Sequence, residues 1–229
     1  VSGNAILVIC GDIISEQAQS LAQSTFSQLR SGPELAPEAF DEAAIGTPLG
    51  AHFEKKTQRS YMLLGVPTVG LKHPERSVIK AIELILGLGV SGRLYQRLRQ
   101  DLGLVYTVNA VSSAYEDCGY LAIHAACAPE NLTMVQDAIL DEWLDLQENG
   151  INEHELLAAK GYYAGTLARR FETNLSVAGI FGIEGLLHQV EPFEAAIARI
   201  NAVTSEAVRD AAQKYLSEYG YVMVSVGKT

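Results

Sequence analysis

Apolar residues along the chain follow two spacings, one typical of strands and one typical of helices. Short apolar or alternating runs predict strands at 5–10, 60–66, 104–115, 119–128 and 220–227. The tight pair Glu116-Asp117 joins the third and fourth runs and predicts a β-hairpin. Because the strands come in hairpins with runs of helices between them, the order predicts an α+β fold, an antiparallel β-sheet with helices packed on one face.

Helical spacing of apolar residues fills most of the chain between these strands. One helix is predicted over 91–101, with Leu94 and Leu98 turned inward. Asn152 and Glu155 have the three-residue spacing of a capping box, which predicts the start of another helix. Further helices are predicted from Ser15, over 74–86, from Pro129 to a C-cap at Gly150, and within 173–216.

The segment 31–50 shows neither spacing and carries three prolines and three glycines, so it is interpreted as a linker. The runs 5–10 and 220–227 share a layout of six mostly apolar residues followed by Gly and a charged residue. Because the second run closes its domain, the first is interpreted as the last strand of an upstream repeat. The predicted organisation is therefore a strand and helix at 1–30 from a preceding repeat domain, the linker, and a C-terminal domain at 51–229.

Composition narrows the class of protein. A net charge of -10 argues against a nucleic-acid-binding surface, which needs a basic face. The longest apolar runs are too short to span a bilayer, so no membrane span is expected. The 48% of hydrophobic residues is enough for a substantial core. Cys10, Cys118 and Cys127 lack motif spacing and have apolar neighbours, which predicts free, buried thiols.

The stretch Gly87-Leu-Gly89-Val-Ser-Gly92 has the spacing of a dinucleotide fingerprint. Such a fingerprint needs a strand before its first glycine and a parallel strand after its helix. Here the preceding residues have helical periodicity and the next strand belongs to the predicted hairpin. The context argues against NAD or FAD and predicts a bend between two helices instead.

The same stretch, LGLGVSGRLYQRLRQDLGLVYTVNA, resembles the helix–strand signature in the C-terminal half of the pitrilysin/insulinase family. These inverted-zincin metallopeptidases include mitochondrial processing peptidase. Gly92 stands where the family often has Ser. The shared features are the bend at Gly89, Arg93-Leu94-Tyr95, Leu98-Arg99 and Gly103-Leu104-Val105-Tyr106. The resemblance implies a metallohydrolase-like domain of the pitrilysin/processing-peptidase type.

The resemblance further implies that Arg99 and Tyr106 form the substrate-binding pair of this half. A chain reversal at Leu102-Gly103 would bring the guanidinium and the phenol together, so that two donors could hold a peptide carbonyl. A purely structural role for the two residues is the alternative interpretation. Arg99 would complement the dipole at the end of its helix, and Tyr106 would pack its ring in the core. Arg93, Arg97 and the pair Arg169-Arg170 are expected to be solvated.

The zinc motif of the family, H-x-x-E-H, does not occur in this sequence. No two of its histidines, His52, His73, His124, His154 and His188, lie within five residues of each other. No metal-binding residues and no catalytic residues are therefore assigned to this segment, and we expect it to be inactive alone. Zinc is expected in the complete enzyme, held by an N-terminal domain or by a partner subunit.

Two functions are compatible with these observations. The first is the C-terminal substrate-binding half of a zinc-dependent metalloendopeptidase, with a peptide as substrate and an added strand at a sheet edge as its binding mode. The second is a non-catalytic scaffolding or regulatory subunit, resembling the core proteins of respiratory complexes. A homo- or heterodimer is compatible with both functions. The compartment is left open between cytoplasm and periplasm.

Overall fold

The computed structural model describes residues 2–34, 47–187, 190–217 and 220–228. The chain divides into two compact units, one of Val1–Ala39 with Ala164–Ala198 and the other of Phe40–Tyr163 with Arg199–Thr229. The second unit contains the sheet and both residues of the expected substrate-binding pair. Among the described helices, none is long and apolar enough to cross a membrane.

A single sheet of five strands has the order β1-β5-β2-β4-β3. The β3–β4 hairpin, the closing strand β5 and the α+β class are confirmed, and every neighbouring pair is antiparallel except β1 and β5. β1 was not predicted, because all six of its residues are exposed and no buried alternation marks it. The strands are β1 Leu49–Glu54, β2 Ser60–Val69, β3 Val105–Ala114, β4 Cys118–Cys127 and β5 Val222–Gly227.

Helices connect the strands, and the helix expected over 91–101 has an unexpected form. It is divided into a 3-10 turn at Gly89–Ser91 and a π-helix at Tyr95–Asp101. Leu94 and Leu98 are fully buried, as predicted. The α-helices are α1 Ser15–Thr25, α2 Arg76–Gly87, α3 Leu132–Glu148, α4 Glu153–Arg170, α5 Asn174–Leu186, α6 Phe193–Asn201 and α7 Ser205–Tyr215.

The helices of the sheet unit cover one face of the sheet, as predicted. Along β2, Met62 and Leu64 are buried, while Tyr61 and Leu63, which alternate with them, are exposed. Residues of α2, α3 and α7 pack with the buried side of the strands in one hydrophobic core around Trp143. Burial of each fully buried Leu or Ile side chain of this core stabilises the fold by about 1.5–3 kcal/mol. The opposite face of the sheet, called the outer face below, is left exposed.

Arg93 joins the segment before the π-helix to the turn between α3 and α4. Its guanidinium donates to Glu155 from Nε (2.6 Å) and Nη2 (3.0 Å), to Asp145 (2.9 Å) and to the Gly150 carbonyl (2.8 Å). The side chain is only 17% exposed. The expectation of a solvated Arg93 was wrong, because no local pattern around Arg93 indicates that two acids and a carbonyl converge on it.

The predicted capping box at the start of α4 is confirmed in both directions. The Asn152 backbone N–H donates to Glu155 Oε2, and the Glu155 N–H donates to Asn152 Oδ1, each at 2.9 Å. Burial alone raises the pKa of Glu155, but the hydrogen bonds from Arg93 and from the Asn152 backbone outweigh it and hold that pKa below its ordinary value. Gly150, predicted to end the preceding helix, follows α3 with a φ of 69°.

In the first unit, the run 5–10 is not a strand, contrary to prediction. Its backbone makes no ladder within the described residues, and Ile6, Leu7 and Ile9 are each more than 40% exposed. A strand needs a neighbour for its N–H and C=O groups, and no described segment supplies one here. The expectation of buried thiols holds for Cys127 alone, since Cys10 is exposed and Cys118 half-buried, although all three are free.

Replacing Arg93 with alanine should lower the free energy of unfolding by about 2–4 kcal/mol, because Glu155 and the Gly150 carbonyl would keep their burial and lose their donor. Chemical denaturation of the variant and of Arg97→Ala checks this. Arg97 is exposed on the same segment, so its variant should stay within about 0.5 kcal/mol of the wild type.

Because the pKa of Glu155 is lowered in the fold, the contribution of the Arg93–Glu155 ion pair to stability is present at neutral pH and is lost as pH falls below about 4. A difference between wild type and Arg93→Ala that does not shrink in acid would contradict the ion-pair explanation.

Candidate functional site

The glycine-rich stretch before the π-helix serves close packing and a bend. Gly87 is the last residue of α2, and a Cβ added there would lie 2.6 Å from the Ala110 backbone nitrogen on β3. A Cβ at Gly92 would lie 2.5 Å from the Leu88 nitrogen. A helix therefore precedes these glycines and an antiparallel strand follows them, which is the opposite of the dinucleotide-binding arrangement.

Arg99 lies on the π-helix and reaches the first residue of β3. Its Nη1 donates to the Val105 carbonyl at 2.6 Å, while the residue as a whole is exposed. Between them the chain reverses through Gly103, which has a φ of 64°, and the Leu104 N–H donates to the Leu98 carbonyl at 2.8 Å. The wide π-turn and this reversal together set the guanidinium against the start of the strand.

Tyr106 stands at an irregularity of β3. Val105 pairs with Cys127 and Thr107 with Ala126, so that Tyr106 is left over as a bulge residue. Bulges turn a side chain out of the regular alternation and are frequent at sheet edges and functional sites. Tyr106 is 45% exposed, whereas its neighbour Val105 is 1% exposed. Arg99 thus binds the carbonyl of the peptide unit that carries the exposed Tyr106.

A second arginine lies at Tyr106. The guanidinium carbon of Arg59 is 4.6 Å from the centroid of the Tyr106 ring, a cation–π contact. Arg59 is exposed and directly precedes β2. Arg59 was not predicted as a site residue. Its alternation with Tyr61 and Leu63 places it on the exposed side of the strand, but many residues share that position.

The free edge of β3 is occupied close to this site. Besides Arg99 on the Val105 carbonyl, Glu83 of α2 accepts from the Ser112 backbone N–H at 2.9 Å. Between these two points Gly87 lies against Ala110. A peptide cannot add as a strand along β3 from 105 to 112 without displacing these contacts. Within the described residues, no strand pairs with the outer edge of β1, the opposite margin of the sheet.

The outer face of the sheet contains an apolar groove of about 420 Å³. The strand register places side chains on it in rows, one of which joins Val224, Leu63 and His124 across three strands. The next row has the small residues Gly65 and Ala122, which form a depression. The groove is lined by Leu63, Gly65, Val66, Pro67, Gly119, Tyr120, Ala122, His124, Val222 and Val224.

Comparison with known proteins shows to which family this arrangement belongs. Residues 1–162 match the peptidase M16 inactive domain. The chain belongs to the peptidase M16 family. The resemblance to the C-terminal half of pitrilysin-type peptidases is thereby confirmed, together with its α+β fold.

The proteins similar to this chain are about twice as long as the chain itself. An uncharacterized zinc protease of Mycobacterium leprae is 28% identical over 214 residues, which are 88% of this chain and 48% of that protein. The peptidase M16 inactive domain from Pseudomonas fluorescens has a TM-score of 0.80 at 26% identity, covering 96% of this chain and 52% of that one. A chain of complex III2 from Candida albicans has a TM-score of 0.80 at 20% identity over 95% of this chain and 53% of its own, and shows likeness of fold alone. The M16 chain described here therefore spans about half the length of these proteins.

The histidines of this M16 chain do not assemble a metal site in its described part. No three His, Cys, Asp or Glu residues there lie close enough together to hold a metal ion. His52 Nδ1 lies 2.9 Å from Ser225 Oγ, and His73 Nδ1 accepts from the Glu75 N–H. His124 is exposed in the groove. His188 lies outside the described residues. The side chains that the structure describes therefore do not fit zinc.

The close approach of Gly87 to Ala110 predicts that an added methyl group destabilises the protein more at Gly87 than at Gly89. Gly87→Ala should lower the free energy of unfolding by about 2–3 kcal/mol, since the new Cβ meets the Ala110 backbone. Gly89→Ala is the matched control. Gly89 has a φ of 47°, and a Cβ added there would have no atom within 4 Å. Backbone strain alone should therefore lower the free energy of unfolding by about 1 kcal/mol. A smaller loss at Gly87 than at Gly89 in urea denaturation would show that this packing is not needed.

Proposed function

We propose that this chain is the C-terminal, substrate-binding half of a zinc-dependent metalloendopeptidase. The observation that carries the proposal is the pairing of Arg99 with the Val105–Tyr106 peptide unit, with both side chains exposed. The zinc site would be supplied by an N-terminal domain or by a partner subunit. The zinc protease name of the Mycobacterium leprae relative supports this, because that protein is about twice the length of the matched region.

The two side chains suit the binding of a peptide carbonyl. Within the described residues Arg99 donates from Nη1 to the Val105 carbonyl and to no other acceptor, so its remaining N–H groups can donate to a ligand. The side chain of Tyr106, which follows this carbonyl in the chain, ends in a hydroxyl that is a second donor. Two donors that meet at one carbonyl would hold it and stabilise the negative charge that develops on its oxygen during hydrolysis.

The surroundings of the pair favour a peptide that lies across the outer face. The β3 edge is occupied, which argues against the strand addition beside Tyr106 that the sequence suggested. The bulge at Tyr106 lies next to the row of paired residues Tyr61, Ala126 and Thr107. The apolar groove lies on the outer face and begins one row further along the strands, at Leu63 and His124. Residues two apart on a strand are about 7 Å apart, so a peptide of several residues reaches from the pair into the groove.

We further propose that residues 1–30 are the tail of a preceding domain, as their sequence layout suggested. Support comes from their exposure, since none of the α1 residues is buried and Leu21, Phe26 and Leu29 are each more than 45% exposed. Several large apolar side chains exposed within one short segment are typical of a surface that contacts further protein. The preceding domain would cover this surface in the complete protein.

The peptidase proposal predicts large losses at two positions. In the complete enzyme, Arg99→Ala and Tyr106→Phe should each lower kcat by more than about tenfold, because each removes a donor to the developing charge. Arg97→Ala, on the same π-helix, is the matched control and should keep wild-type kinetics. Steady-state assays with thermal melts of each variant check this. Wild-type kinetics in both site variants would leave the pair with a structural role.

The same assays separate the peptidase from the scaffolding subunit. The isolated chain should not hydrolyse peptides even with added zinc, and cleavage should appear only with the zinc-bearing half. Zinc-dependent cleavage by the isolated chain would contradict the assignment of zinc to another domain. An assembled protein with both halves that cleaves no peptide would instead support the scaffolding role.

Removal of residues 1–30 should leave the sheet unit unchanged in stability. We expect the thermal unfolding midpoint of the sheet unit in the shortened chain to stay within a few degrees, about 2–4 °C. Loss of cooperative unfolding in the shortened chain would assign residues 1–30 to the C-terminal domain instead.

A further inference from the structure

The end of the sheet that carries Tyr106 also gathers basic residues. Because β1 and β5 run parallel and their neighbours antiparallel, the ends of β1, β4 and β5 meet the starts of β2 and β3 there. Five cationic residues are at or next to these strand ends, and this set is called the basic sheet end: Lys55, Lys56, Arg59, Arg99 and Lys228.

The charge of this end is opposite to that of the whole protein. The acids at or next to the same strand ends are Glu54, Asp101 and Glu130, so five cations against three acids give a formal charge of +2 where the chain has -10. Within the described residues, none of the five cations forms an ion pair, whereas Lys72, Lys80, Arg93 and Lys214 elsewhere do. Acids are abundant in this chain, yet none of the described ones forms an ion pair with a cation of the basic sheet end.

The loop from β1 to β2 holds Arg59 in a fixed place. The Thr57 hydroxyl donates to the Arg59 carbonyl at 2.7 Å, and the Lys55 N–H donates to the Gly227 carbonyl at 2.8 Å. The guanidinium carbon of Arg59 lies 4.6 Å from the centroid of the Tyr106 ring. Among the described residues no acceptor binds the N–H donors of this guanidinium, and their planar, forked arrangement suits a planar acceptor such as a carboxylate.

We infer that the basic sheet end binds a carboxylate of the peptide substrate, with Arg59 as the residue that selects it. This inference rests on the proposed function, since it takes Arg99 and Tyr106 as the binding site of the peptide backbone. Arg99 and Tyr106 hold a carbonyl that every peptide has, whereas Arg59 adds a preference for peptides with an acidic group. The substrate class is an acidic peptide with apolar residues that lie in the groove.

Binding of fluorescently labelled peptides to the full chain tests the inference. Four peptides of one length and one apolar sequence differ only in carrying Glu or Gln, and a free or amidated C-terminus. A peptide with a carboxylate should bind about fivefold more tightly than the neutral one at low salt, and the advantage should shrink at high salt. The Glu and C-terminal arms identify which carboxylate is bound.

Variants assign the preference to Arg59. Arg59→Gln should reduce the ratio of the two affinities, carboxylate peptide over neutral peptide, to about twofold or less. Arg59→Lys keeps the charge without the planar fork and should retain part of the advantage. Arg170→Gln removes an exposed arginine outside the basic sheet end and should leave the advantage unchanged, which controls for net charge.

The outcomes separate this inference from the proposed function. Equal binding of all four peptides, or an unchanged advantage in Arg59→Gln, would overturn the inference alone. Tyr106→Phe and Arg99→Ala should weaken all four peptides. If neither does, the proposed peptide site fails, and a carboxylate advantage that still depends on Arg59 would mark a separate anion site. If none of the peptides binds, both are overturned.

Discussion

The contacts of Arg93 fix the geometry on which the candidate site depends. Its guanidinium holds Glu155, Asp145 and the Gly150 carbonyl, and so ties the start of the π-helix to the α3–α4 turn. Arg99 follows six residues later on that segment, where its reach to Val105 requires the π-helix to stay in place. A partly buried ion pair of this kind adds little net stability compared with an apolar contact, but its loss leaves charged groups unpaired. Its role is therefore to position the π-helix.

Three arginines in this unit show how surroundings determine the role of one residue type. Arg93 is mostly buried and uses four of its five N–H donors on acceptors of its own chain. Arg99 is exposed and uses one donor on the Val105 carbonyl. The described side-chain contact of Arg59 is with the Tyr106 ring, whose centroid lies 4.6 Å from the guanidinium carbon. The donors left open increase from Arg93 to Arg59, and with them the capacity to bind a ligand.

The parts of the fold that local patterns determine were predictable, and the parts that distant partners determine were not. Alternation along β2 and helical spacing at Leu94 and Leu98 both report burial by nearby layers, so the sheet and its packed face were found. The capping box at Asn152 is local and was also found. Arg93 was misjudged because its acceptors lie more than fifty residues away. The apolar run 5–10 has the composition of a strand, but composition does not supply the neighbouring strand that its backbone needs.

The closed edge of β3 and the open outer face together determine how a ligand can approach Tyr106. Strand addition would satisfy a peptide backbone along an edge, but α2, Glu83 and Arg99 already occupy that edge. A ligand that crosses the outer face meets side chains instead: a phenol and guanidinium groups at one end and an apolar groove along the strands. Recognition through side chains reads the chemistry of the peptide, whereas recognition through an edge reads mainly its backbone. Under the proposed peptide-binding function, the same π-turn and bulge that expose Arg99 and Tyr106 would favour selectivity for a class of peptide over general capture of extended chains.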